Sequence, residues 1–126
     1  MAVDASTPYD SDNIFARILR GEIPCREVFR DAWALAFHDI NPQSPRHILV
    51  IPTGAYVCWD DFSARGTSDE IAGFIRAVGH VAREAGLVAP GYRLLVNTGR
   101  DAHQEVPHLH VHILGGRPLG PMLNPV

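Results

Sequence analysis

Lysine is missing from this chain of 126 residues; all 11 of its basic side chains are arginine. That absence excludes a Walker-type phosphate-loop lysine, a Schiff base and a lysyl-nucleotide intermediate, so covalent chemistry would have to use another nucleophile. Cysteine is scarce as well. Cys25 and Cys58 stand far apart with no C-x-x-C spacing, which argues against a disulfide framework or a zinc knuckle. No apolar run approaches the roughly 20 residues that a membrane-spanning helix needs, so no membrane partner is expected. The net charge of −3 lacks the basic surface that a general nucleic-acid binder uses to neutralise phosphates. The opening stretch MAVDASTPYDSD is polar and has neither the basic start nor the apolar centre of a secretory signal. Residues 1–11 are therefore expected to form a mobile tail on a cytoplasmic protein, and 12–126 a single domain whose C-terminal tail begins at 115.

In SDNIFARILRGEIP, Ser11 or Asp12 can cap a helix whose stripe is Ile14, Phe15, Ile18 and Leu19, with Gly21 and Pro24 ending it. REVFRD and WALAFHD read as two strands of a hairpin, and HILVIP, continuous and β-branched, as a strand covered on both faces. After an irregular connection, Thr67 and Glu70 make a capping box, and apolar residues from Ile71 to Ala85 recur at helical spacing up to Gly86. YRLLVN and VPHLHVHIL supply two more strands around the loop TGRDAHQE. The expected fold is α+β: a five-stranded, mainly antiparallel sheet with two helices.

The feature with chemical content is the run HLHVHIL. Side chains at alternate positions of a strand share one face, so His108, His110 and His112 would form a ladder on one side while Leu109, Val111 and Ile113 enter the core. Three readings compete: chance patterning of surface histidines, a metal site, and catalysis. A metal site would use two of the three with an outside ligand such as His47 or Glu105, because the outer pair is separated by roughly 13–14 Å along an ideal strand. For catalysis, a neutral imidazole is a competent nucleophile once an acceptor holds the proton of its other nitrogen, and its neighbours can orient it or pass a proton to a leaving group.

With these residues on the page, the chain resembles the histidine triad (HIT) superfamily, and within it the Hint branch of nucleotide-binding phosphoramidases. DNIFARILRGEIP, AFHDINPQSPRHILVIP, GYRLLVNTG and HLHVHILGGRPLGPM carry the resemblance in this order, over about residues 12–123. It implies that His110 is a nucleophile that becomes nucleotidylated, flanked by His108 in the support network and by His112 near the scissile bond, with His47 completing the relay. It implies that Asp39 accepts bonds from both ribose hydroxyls, that Ile14, Phe15, Ile18, Phe37, His38 and Ile40 wall a purine slot, and that Asn97 and Gln104 surround the α-phosphate. Glu105 occupies a position where many relatives have serine or threonine, so its backbone N–H is what remains for the phosphate; His103 stands where glycine is usual. The implied activity is hydrolysis of purine nucleoside 5′-phosphoramidates, in a homodimer whose two sheets join into ten strands, with no cofactor and no metal. Two alternatives remain at this point: a purine-nucleotide-binding regulatory scaffold with incidental turnover, and a metal-binding protein built on the histidine ladder.

Overall fold

The helix and strand patterns condense on the two faces of one sheet. A computed structural model describes residues 3–123. Its elements are α1 (Ile14–Leu19), β1 (Glu27–Arg30), β2 (Ala34–His38), β3 (Arg46–Pro52), α2 (Trp59–Arg65), α3 (Ser68–Glu84), β4 (Tyr92–Leu95) and β5 (Val111–Gly115). The strands are antiparallel throughout, in the order β1-β2-β3-β5-β4. The expected five-stranded antiparallel sheet is present, with three helices rather than two. The additional helix, α2, lies in the stretch expected to be irregular. Its N-cap, Cys58, makes no side-chain capping bond, so the usual start signal is missing. Asp60 and Asp61 in its first turn favour the helix N-terminus instead, and Asp61 also accepts the Val57 N–H.

Register decides which residues face where. Ala34 and Ala36 of β2, Ile48 and Val50 of β3, and Val111 and Ile113 of β5 lie on one face and pack beneath Phe74, Val78 and Val81 of α3. The Thr67–Glu70 capping box starts that helix as expected, each side chain bonding the other residue's backbone N–H. The opposite face carries Leu35, Phe37, Leu49 and Ile51 and is covered by Phe15 and Ile18 of the short helix α1. Asn13, rather than Ser11 or Asp12, caps α1 by accepting the Ala16 N–H.

Two further features depend on the tertiary structure. Within the stretch expected to be a mobile tail, Val3 is buried at 4% exposure with Val57 and Cys58, and Tyr9 packs on the same cluster. Two apolar side chains separated by polar residues were enough to anchor a stretch whose average composition is that of a tail. Residues 1–2 and 124–126 lie outside the described residues. The last strand also starts later than its sequence pattern suggests. β3 ends at Pro52, which has no N–H to continue the ladder, and His108 to His110 precede β5 outside the ladder; the Leu109 N–H bonds the Tyr56 carbonyl instead, at 2.8 Å.

Candidate active site

The histidine ladder begins with a buried support. His108 is fully buried, and its Nε2 lies 2.9 Å from the Pro52 carbonyl oxygen. A carbonyl can only accept, so Nε2 carries the proton and Nδ1 is the acceptor. The Tyr9 hydroxyl, 2.7 Å from that Nδ1, is therefore the donor. The ring is thus bonded on its second nitrogen by an N-terminal side chain that no spacing in the sequence connects to it.

His110 is fixed by the same logic. Its Nδ1 lies 2.8 Å from the backbone oxygen of His108, so the proton sits on Nδ1 and the lone pair on Nε2. Phe15 of α1 packs edge-on against the ring, with centroids 5.0 Å apart. The side chain is 9% exposed and lines an open cleft of about 320 Å³ together with Phe15, Asp39, His112 and Glu105. Burial pushes its pKa below the ordinary histidine value, and the bond to the His108 carbonyl and the charges of Asp39 and Glu105 offset part of that effect.

His112 and His47 form the third part. The backbone N–H of Gln43 donates to His47 Nδ1 at 3.0 Å, which leaves the His47 proton on Nε2. That atom lies 2.8 Å from His112 Nδ1 and 3.4 Å from Asp39 Oδ2. A proton on His47 Nε2 makes His112 Nδ1 an acceptor and places the proton of His112 on Nε2. Among the described residues, His112 Nε2 is the one buried side-chain polar atom with no hydrogen-bond partner. Burial, reinforced by His110 and then His47, pushes the His112 pKa down to about 4, and burial does the same to His108. His47 is also shifted down by burial, with Asp39 opposing.

Side-chain donor atoms of Asp39, His47 and His112 lie within 4.8 Å of one another, which makes them the candidate metal ligands among the described residues. This set takes one ladder histidine, where the sequence suggested two. The 2.8 Å separation of the two histidine nitrogens fits a shared proton better than a shared ion: nitrogens bound at 2.0–2.1 Å to a tetrahedral zinc stand about 3.3 Å apart.

Of the other anticipated site residues, Phe15, Asp39 and Glu105 reach the cleft. Ile18 and Phe37 are buried in the core beneath α1, and Ile14 and Ile40 are 44% and 88% exposed. His38 sits one register step from Phe37 and so projects from the other face of β2. None of these five lines the cleft, whose apolar wall is Phe15, Leu49 and Val106. Asn97 is half-buried outside the cleft. Gln104 is turned into its own loop: its amide nitrogen donates to the Val57 and Val106 carbonyls, and its oxygen accepts the Gly99 N–H. His103 has φ +60°, the left-handed conformation anticipated for a position where glycine is usual. Asn41, Gln43, Leu49 and Val106 complete the lining without having been singled out; only the Asn41–Pro42 turn and the apolar alternation marked their neighbourhood.

Comparison with known proteins places this geometry. The HIT domain model matches residues 20–119. The chain is 69% identical over 115 residues to a HIT-like protein of Azospirillum brasilense, spanning 91% of this chain and 94% of that one. It is 45% identical over 112 residues to the purine nucleoside phosphoramidase of Escherichia coli, spanning 89% and 93%. Among solved structures it resembles a histidine triad protein from Clostridium difficile, with a TM-score of 0.82 and 38% identity over 90% of this chain and 98% of that one. A HIT family hydrolase from Legionella pneumophila aligns with a TM-score of 0.79 and 39% identity over 85% and 95%. On its fold, its histidine arrangement and these matches, the chain belongs to the HIT domain family.

Proposed function

We propose that the protein hydrolyses purine nucleoside 5′-phosphoramidates through a nucleotidyl-histidine intermediate. The observation that carries this reading is the opposite protonation of two neighbouring rings: His110 has its lone pair on Nε2, and His112 has its unpartnered N–H on Nε2. One is a nucleophile and the other an acid. The similarity to the Escherichia coli phosphoramidase supports the same substrate class.

In this reaction His110 Nε2 attacks the α-phosphorus, a new N–P bond forms, and the P–N bond to the amine breaks. The bound phosphate anion favours one additional proton on the His47–His112 pair, and His112 Nε2 passes that proton to the departing amine. Water then attacks the phosphorus, returns a proton to His112, and frees His110 and the nucleoside monophosphate. Asp39 serves the ribose: its two oxygens accept from the vicinal hydroxyls, a task suited to a group with no donor. Phe15, Leu49 and Val106 offer the base an apolar wall. The working form in this proposal is a cytoplasmic homodimer joined along β4, one of the two edge strands, beside which Trp59, Ile75, Tyr92 and Leu94 leave apolar surface exposed.

The test mixes the protein with adenosine 5′-monophosphoramidate and measures intact mass. An adduct of one adenylyl group is expected in the wild type or in His112→Asn, where resolution is slower, and none in His110→Ala. An adduct that persists in His110→Ala overturns the proposal.

A further inference from the structure

The cleft proposed to take a phosphate has an unusual charge balance. None of its lining residues is arginine, the chain has no lysine, and burial pushes His110 and His112 toward the neutral form. Its two fixed charges are carboxylates, Asp39 and Glu105. Arg100 approaches Asp101 instead, at 3.4 Å, outside the cleft.

The two carboxylates occupy different depths. Asp39 is drawn against the buried His47. Glu105 sits at the rim, where the loop ahead of the triad turns through the left-handed His103, whose Nε2 lies 2.9 Å from Glu105 Oε1. Both rim side chains are largely open to water, 86% for His103 and 74% for Glu105, yet both line the same cleft as the buried His110. A group attached to phosphorus at His110 and extending to solvent past this rim meets the Glu105 carboxylate. The contact between the two rim side chains keeps that carboxylate in position.

We propose that Glu105 is a specificity determinant that selects substrates whose leaving amine carries a positive charge and disfavours anionic leaving groups. The inference rests on the phosphoramidase reading and names the leaving group that reading leaves open. A carboxylate beside a leaving ammonium is attractive, and beside a carboxylate or a further phosphate it is repulsive. Because the rim is wet, the discrimination is modest, on the order of 3-fold per charge, the size of an exposed ion pair.

Three AMP phosphoramidates test it, with leaving amines bearing a trimethylammonioethyl group, the isosteric neutral 3,3-dimethylbutyl group, or a carboxyethyl group. kcat/KM is measured at about pH 8 in the wild type and in Glu105→Gln. The wild type is expected to prefer the cationic over the neutral substrate by about 3-fold and to disfavour the anionic one by a similar factor, with both preferences collapsing toward unity in Glu105→Gln and weakening in molar salt. Wild-type turnover with no charge preference, or a preference that Glu105→Gln leaves intact, overturns the role of Glu105 while the phosphoramidase reading stands. Absence of turnover with all three overturns both.

Discussion

His47 Nε2 lies 2.8 Å from His112 Nδ1, and the Gln43 N–H on the far side of His47 sets the direction of the proton between them. Two residues 65 positions apart thereby make His112 a donor toward the cleft. The consequence is selective for the leaving group. His112→Asn should cost about 10²- to 10⁴-fold in kcat for a phosphoramidate of a basic alkylamine, which cannot depart without a proton. The same variant should lose far less with an AMP ester of an acidic phenol, which can depart as the anion. Equal losses on the two substrates, in single-turnover measurements, would remove the acid role.

Asp39 is shared between the His47 contact at 3.4 Å and its proposed bond to the ribose. Its Oδ1 already accepts the Asn41 N–H at 2.8 Å, which holds the carboxylate in place. Asp39→Ala is expected to raise KM for the ribonucleoside substrate about 10-fold, the worth of one charge-assisted hydrogen bond, and to leave KM for the 2′,3′-dideoxy analogue unchanged. If both substrates weaken alike, the carboxylate acts through His47 rather than through the sugar.

Tyr9 donates to a ring that is wholly buried. Tyr9→Phe leaves His108 Nδ1 without its donor and should lower stability by about 1–3 kcal/mol, the cost of an unsatisfied buried acceptor. Removing residues 1–9 should cost at least as much, since Val3 leaves its apolar cluster too. Urea denaturation of the two variants checks this; unchanged midpoints would show that the N-terminal segment contributes nothing.

His108 and His112 both have folded-state pKa values pushed down to about 4 from an ordinary 6.5. A depressed histidine means that the unfolded chain binds protons which the folded chain refuses, so folding stability is retained above the ordinary value and declines as the pH falls from about 6.5 toward 4. Denaturant midpoints should therefore drop across that window. The slope should be shallower in His112→Asn, whose half-buried position tolerates an uncharged amide. A flat profile between pH 6.5 and 4 would mean that these rings are not kept neutral by the fold.

Much of the architecture was legible because it is local. The Thr67–Glu70 box begins a helix, alternation marks β5, and the continuous apolar run HILVIP signals a strand with both faces covered. The failures were equally physical. α2 lacks a capping side chain, and its acidic first turn alone does not announce a helix in a stretch of mixed polarity. The residues from 3 to 11 were read from average composition, whereas two particular side chains, Val3 and Tyr9, decide where that segment lies.

The site divides along the same line. The amino-acid sequence by itself determined that three imidazoles alternate with core residues, that no lysine competes with them as a nucleophile, and that Asp39 and His47 lie on or beside apolar strands. Only the tertiary structure decided which nitrogen of each ring holds its proton. Those assignments come from the Pro52 and His108 carbonyls, the Gln43 N–H and the Tyr9 hydroxyl. It also separated Phe15, which faces the cleft, from Ile18 and Phe37, which fill the core. Periodicity reports which side of an element a residue takes, whereas tautomer and pocket wall depend on what a distant segment presents to that side.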